Sequence, residues 1–348
     1  MLAAKTYVPL LKSRISEVEA YHHLSAQAKE LTFPIFLLRP WPNANHLRLA
    51  IDRILSATQG HPFGLGLDDG RRAYPSKKPA QQEFDRLFDP RGGYGNFYNF
   101  VEEIDTAVPV LRPTSNANEL LQQLGRAIDL DRGLVVHQQR GSLVPLTETI
   151  LSLPPIPNDT VFVVDAAWSR DGLQMQSWAV PVVDRLIQSL PAAEIVVMGS
   201  SFPDSFSHIV GNREEVAHEF ALFSAVRQRY QEANLTFGDW GSTRLPQSGG
   251  GGTIPPRVDI PRPASWHIFR ADPDGDEDYT SIAHDAAGHA CFPNVPDCWG
   301  KRQVVATDGT GQGITGPKMN TSSRINMHLT IQSDATITID LDDEPYID

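Results

Sequence analysis

At 348 residues the chain has room for one (β/α)8 barrel of roughly 250 residues with an appendage, or for two smaller domains. Apolar residues make up 41% and aromatic residues 8%, enough for a packed core, which excludes wholesale disorder. The net charge is −12, and half of it lies in the last sixteen residues (Asp334, Asp340, Asp342, Asp343, Glu344 and Asp348, with no base), so this is not a protein that coats nucleic acid non-specifically.

Short apolar runs alternate with longer amphipathic stretches along the first two thirds of the chain. Tyr7 to Leu11 reads as a first strand ending in Lys12, and Ser16 with Glu19 offers a capping box for a helix through Leu31. Phe33 to Leu38 reads as a second strand ending in Arg39, with Asn45 as N-cap of the helix that carries Leu47, Ala50, Ile51, Ile54 and Leu55. Pro62 to Leu67 runs into Asp68-Asp69-Gly70 and a polar insertion containing RRAYPSKKP. Ala107 to Leu111 ends in Arg112, and Asn116 or Asn118 opens a helix with Leu120, Leu121, Leu124 and Ile128 on one side.

Gly133 to Val136 ends in His137-Gln138-Gln139-Arg140, Thr160 to Val164 in Asp165, and Ile195 to Met198 in Gly199-Ser200-Ser201. A helix starting at Asn212, with Glu215 completing a capping box, leads to the eighth run, Leu235 to Gly238, which ends in Asp239-Trp240-Gly241-Ser242. Strands without alternation, rich in Leu and β-branched residues, are what a parallel sheet covered on both faces requires. Eight such units in order predict a closed TIM-like (β/α)8 barrel over residues 1–246 rather than an open doubly wound sheet.

After Leu245 the four glycines Gly249 to Gly252 and Pro255, Pro256, Pro261 and Pro263 predict a linker over residues 247–264. The glycines lack the Lys and Ser or Thr of a phosphate loop. Residues 265–348 predict a small α+β appendage: a strand at Ser265 to Arg270, a helix near Tyr279 to Ala287, and a terminal hairpin marked by Ile337, Ile339 and Leu341. Its apolar faces are too small for an independent core, so it is expected to pack on the barrel.

Two cysteines, Cys291 and Cys298, give no disulfide framework and point to a reducing, cytoplasmic compartment. No apolar run approaches the ~18 residues of a membrane span.

Carboxyl ends of barrel strands carry the chemistry in this architecture. The charged residues there are Lys12, Arg39, Asp68, Arg112, His137, Arg140, Asp165 and Asp239. Converging cations bind phosphate or carboxylate through forked hydrogen bonds, which makes Lys12, Arg39, Arg112 and Arg140, with Asp239, candidates for substrate binding. His137 and Asp165 are the candidate proton-transfer groups. Asp68, Asp165 and Asp239 are candidate ligands for Mg2+, with the cofactor otherwise unknown. The spacing H-x4-H-x-C-x6-C of His284, His289, Cys291 and Cys298 could serve zinc or mark ordinary packing. For each strand-end charge, a salt bridge within the barrel is the competing reading.

Several motifs spread over the chain resemble the Beta protein family of bacteria and phages. They are Tyr7-Val8-Pro9-Leu10-Leu11-Lys12, Phe33-Pro34-Ile35, Phe237-Gly238-Asp239-Trp240-Gly241, Ile254-Pro255-Pro256-Arg257-Val258-Asp259 ahead of Trp266, and Ser323-Arg324-Ile325-Asn326-Met327-His328-Leu329-Thr330. The last adds Arg324 to the candidate substrate-binding residues. This chain departs from the family's pattern at Ser323, where a Trp is usual, and at Met327 and His328, where a His pair is usual. The resemblance implies a barrel-type fold and a phage or mobile-element context, including antiviral defence, and supplies no agreed reaction. Two function classes follow from all of this. One is a hydrolase or lyase acting on a phosphate-bearing small molecule or nucleotide; the other is a non-catalytic module recognising a phage component or a partner encoded nearby.

Overall fold

The computed structural model describes residues 1–41, 44–71, 78–153, 156–245 and 254–334. Along the chain run β1 (Tyr7–Lys12), α1 (Ile15–His22), α2 (Ala26–Leu31), β2 (Ile35–Leu38), α3 (Arg48–Thr58), β3 (Phe63–Leu67), α4 (Pro79–Arg86), α5 (Arg91–Glu102), β4 (Ala107–Pro109) and α6 (Ala117–Leu130). They are followed by β5 (Leu134–Gln139), α7 (Leu146–Leu151), β6 (Thr160–Trp168), α8 (Gly172–Ser189), β7 (Glu194–Ser200), β8 (Gly211–Val216), α9 (His218–Arg229) and β9 (Leu235–Asp239). The remainder holds β10 (Arg257–Pro261), β11 (Ser265–Arg270), α10 (Tyr279–Gly288), α11 (Trp299–Thr310) and α12 (Pro317–Ser333).

Eight strands pair in parallel in the order β4-β3-β2-β1-β9-β7-β6-β5. A parallel bridge between Val110 and Val135, with Leu111 N donating to Val135 O at 2.8 Å, joins the two edges and closes a TIM-like (β/α)8 barrel. Alternate residues of each strand serve two apolar layers, as the two-residue period of a strand dictates. Val8, Leu10, Ile35, Val161, Val163, Val196 and Met198 fill the barrel interior. Their neighbours Tyr7, Leu11, Phe36, Phe162, Val164, Ile195 and Val197 pack outward against the helices. Both faces being apolar is the physical reason the strands read as continuous runs. Gly238 of β9 has no room for a side chain, since a Cβ there would lie 2.7 Å from Val8 O and 2.8 Å from Val196 Cγ1.

A three-stranded antiparallel sheet, β10-β11-β8, stands beside the barrel. Its middle strand contributes Trp266 and Ile268, which pack with Phe202, Phe206 and Ile209 from the stretch after β7. α12 faces two ways: Ile325 and Leu329 belong to the cluster that covers the barrel strands, while Met327 and Ile331 join Val258, Ile260, Phe269, Ile282 and Val304 in a second cluster. Asn326 locks the same helix at both sides, accepting from Gly300 N at 2.8 Å and donating to Ala20 O at 2.9 Å.

Four local expectations are corrected. Gly211–Val216 is a strand, not the start of a helix at Asn212; its Asn-x-x-Glu pattern is spent on tertiary contacts, Asn212 with His267 of the paired strand and Glu215 with Arg170 and His208 of neighbouring loops. The first helix does not run through to Leu31, because α1 ends at His22 and Ser25 caps α2 by accepting from Ala28 N at 3.1 Å. α3 starts at Arg48, beyond Asn45, and the Glu83 carboxylate accepts from Leu47 N at 2.7 Å. Arg257–Pro261, within the stretch read as linker, forms β10. The expected terminal hairpin and most of the polar insertion lie outside the described residues.

Candidate functional site at the carboxyl ends of the strands

Because the eight strands run in parallel, their carboxyl ends share one side of the barrel, and a cleft of about 410 Å3 opens there. It is lined by Lys12 at the end of β1, Asp68 and Asp69 after β3, Arg112 after β4, His137 and Gln139 of β5, Arg140, and Trp240 after β9. Lys12, Arg112 and Arg140 of the expected cation set therefore reach one wall. Asp69, Gln139 and Trp240 complete it, and none of the three was among the candidate site residues.

Lys12 Nζ lies 3.1 Å from Asp68 Oδ1, and Arg39 Nη1 lies 3.7 Å from Asp68 Oδ2. Asp68 is buried, so these two cations supply the compensation that a carboxylate out of water requires. Arg39 is set back, its backbone N–H held by Ser13 Oγ at 2.8 Å, and it does not line the cleft. Arg112 differs. Its guanidinium is 8% exposed and lies 2.5 Å from Asp69 Oδ1, but the Asp69 side chain is 60% exposed. Phe88 lies under the same guanidinium at 4.8 Å. Its backbone is clamped by Gln123, which accepts from Arg112 N at 2.8 Å and donates to Arg112 O at 3.0 Å. Nε of Arg112 is buried and has no hydrogen-bond acceptor among the described residues.

His137 and Asp165 sit on adjacent strands in direct register with each other's neighbours, and His137 Nε2 lies 3.0 Å from Asp165 Oδ2. Asp165 is fully buried and also accepts from Gln139 Nε2 at 2.9 Å, Trp240 Nε1 at 3.1 Å and Ala167 N at 2.8 Å. Such a carboxylate is held in one orientation, and it favours the imidazole tautomer with the proton on Nε2, leaving Nδ1 as an acceptor. Arg140 is occupied by its own surroundings: it donates to Ala166 O, Gln174 Oε1 and Trp168 O.

Asp239 and Arg324 stand elsewhere. Asp239 is buried on the outer, helix-covered face of β9, accepting from Tyr7 Oη, from Gly241 N at 2.6 Å, and from His328 Nε2 of α12 at 2.6 Å. Burial and the Asp239 charge both push the Tyr7 phenol well above its ordinary value. Nearby, burial first and the Asp239 charge second raise the Glu219 carboxyl to about 7. Arg324 lines a second cavity of about 250 Å3 together with Arg14, Arg244 and Arg257, and Thr243 lines both cavities. Its guanidinium lies 2.6 Å from Asp259 Oδ2, with Arg257 Nε 2.7 Å from Asp259 Oδ1. Burial alone would raise the Asp259 carboxyl, but the two guanidiniums outweigh it and hold it below its ordinary value. Burial pushes Arg324 down to about 10 against the pull of Asp259.

The expected Mg2+ triad is not assembled. Asp68, Asp165 and Asp239 belong to three separate networks, and among the described residues the His, Cys, Asp and Glu donors that converge within 4.8 Å are His267, His289 and Cys291. Of the two readings left open for His284, His289, Cys291 and Cys298, the zinc quartet is not assembled: His284 is exposed and pairs with Asp308 at 2.9 Å, and Cys298 is buried ahead of α11.

Motifs far apart in sequence thus meet around one end of the barrel. Tyr7 and His328 both donate to Asp239, and the Asp259 of one motif pairs with the Arg324 of another. No curated protein and no solved structure matches the chain. The family model described as Beta protein matches residues 7–334, which include every one of these contacts. With its motifs brought together in this way over nearly its whole length, the chain belongs to the Beta protein family.

Proposed function

We propose that the carboxyl-end cleft binds a small molecule carrying an anionic group, phosphate first, and that His137 moves a proton on it in a hydrolase or lyase reaction. The observation that carries this reading is the state of Arg112: a mostly buried guanidinium, clamped at its backbone, whose charge partner is an exposed aspartate. Ion pairs between exposed side chains are worth ~0–1 kcal/mol, and Asp69 is the solvent-exposed, rehydratable member of this one, so a ligand that meets the guanidinium fork with two oxygens can take its place. The Lys12 and Arg39 pairing with buried Asp68 is not displaced so easily; Lys12 adds positive potential at the wall while Asp68 stays compensated.

His137 supports the catalytic half of the reading. It lines the cleft with 15% of its side chain exposed, and the buried Asp165 orients it from behind. A base held in one tautomer within reach of a bound ligand contributes typically ~10^2–10^4 in rate. The test is a thermal-shift screen of the full chain against inorganic phosphate, nucleoside monophosphates and triphosphates, and sugar phosphates, followed by turnover assays on any that bind. The expected result is stabilisation by a phosphate-bearing compound that His137→Gln retains while turnover falls at least ~10^2-fold. Binding without turnover in the wild type would remove the catalytic half, and no stabilisation by any anion would remove the whole reading.

A further inference from the structure

A second group of ligating side chains meets on the antiparallel sheet, away from the cleft. We propose that His267, His289 and Cys291 form a binding site for one divalent transition-metal ion of the zinc type. One donor atom from each lies within 4.8 Å of the other two. β11 supplies His267, and the turn after α10 supplies His289 and Cys291.

The surroundings suit a metal site in three respects. His267 Nε2 lies 3.2 Å from Asn212 Oδ1 on the paired strand. That contact takes the Nε2 proton and leaves Nδ1 as a lone pair, the arrangement by which ligating histidines are oriented. His289 Nδ1 lies 3.1 Å from Cys291 Sγ and accepts from Cys291 N at 3.3 Å, which holds the imidazole beside the thiol. The two imidazoles are 4.1 Å apart between centroids and pack against Phe269.

Donor chemistry selects the ion. Two imidazoles and a thiol favour zinc, cobalt or nickel over magnesium or calcium, which take oxygen donors. Three protein donors leave one coordination position for water, whereas closed structural zinc sites use four. Binding exchanges one proton for the metal: the S–H bond of Cys291 breaks, a metal–sulfur bond forms, and the proton leaves to solvent. The ion would tie the turn after α10 to the sheet.

The test titrates the metal-free full chain with Co2+, which reports a thiolate bond by a near-ultraviolet charge-transfer band. The account predicts saturation at one equivalent, bleaching by added Zn2+, and release of one proton per ion. Cys291→Ser should abolish the band, and His289→Gln should do so with the thiol intact. Cys298→Ser should keep it, since that thiol lies ahead of α11. Asn212→Ala, which removes only the orienting contact, should weaken binding ~10–100-fold. Far-ultraviolet circular dichroism on each variant separates lost ligation from lost fold. No band with stoichiometric Co2+, or a band that survives Cys291→Ser, would overturn the site.

Discussion

Arg324 and Asp259 form a fully interior ion pair, 2.6 Å between Nη1 and Oδ2, that fastens α12 to β10 at the edge of the barrel mouth. Arg324 also donates to Ser242 O at 3.1 Å, so one guanidinium touches the end of the barrel and the sheet beside it. Asp259→Asn leaves two guanidiniums close together without a counter-charge, and removing one partner of a buried pair costs ~3–5 kcal/mol. Urea denaturation at pH 7 should show a loss of that size. Since the Asp259 carboxyl is held below its ordinary value, its contribution is present above the unfolded carboxylate range near pH 4 and fades as pH falls through the folded value. A loss under 1 kcal/mol at pH 7 would contradict this account of the pair.

Glu219 gives the opposite pH dependence. Its carboxyl is raised from 4.5 to about 7, burial being the larger cause and Asp239 the next. Between these values the folded protein keeps a proton that the unfolded chain has released, so stability declines as pH rises through this window and stays lower above it. The decline is on the order of 3 kcal/mol. Glu219→Gln cannot titrate, and its stability should gain on the wild type by that order between pH 5 and pH 8. Parallel stability profiles for the two proteins would show that Glu219 does not carry the effect.

Residues 254–334 complete the covering of the barrel. Leu329 is fully buried in the same cluster as Tyr7 and Leu11, and Leu329→Ala should cost ~2–5 kcal/mol. A chain ending at Leu245 would expose that whole face, together with Phe202 and Phe206 that now meet Trp266 and Ile268. Thermal unfolding of the shortened chain should lack a cooperative transition near that of the full chain. An unchanged melting curve would mean that the barrel holds itself.

The barrel was legible because both strand faces are apolar, and the strand ends could then be read directly: Lys12, Arg112, His137 and Arg140 do line one cleft. Depth was not legible. Arg39 and Asp239 end their strands as Arg112 does, yet one sits behind Asp68 and the other lies in an interior network with Tyr7 and His328. α12 escaped notice because it is buried almost all round and carries Asn320, Ser322, Ser323, Arg324 and Asn326 inside, so it shows no apolar stripe. His267 could not be joined to His289 and Cys291 from spacing, since strand pairing and the turn after α10 bring them together.

The central claim, that Arg112 is a ligand-binding cation, is tested most directly by measuring Arg112→Ala twice: calorimetric binding of inorganic phosphate or the best phosphate compound from the screen, and urea denaturation without ligand. The variant loses the contact with exposed Asp69 and the stacking on Phe88 and Tyr94, together ~1–2 kcal/mol. The account predicts that loss of stability alongside at least ~10-fold weaker binding. Unchanged binding with a stability loss of ~3–5 kcal/mol would contradict it, marking Arg112 as a structural ion-pair residue.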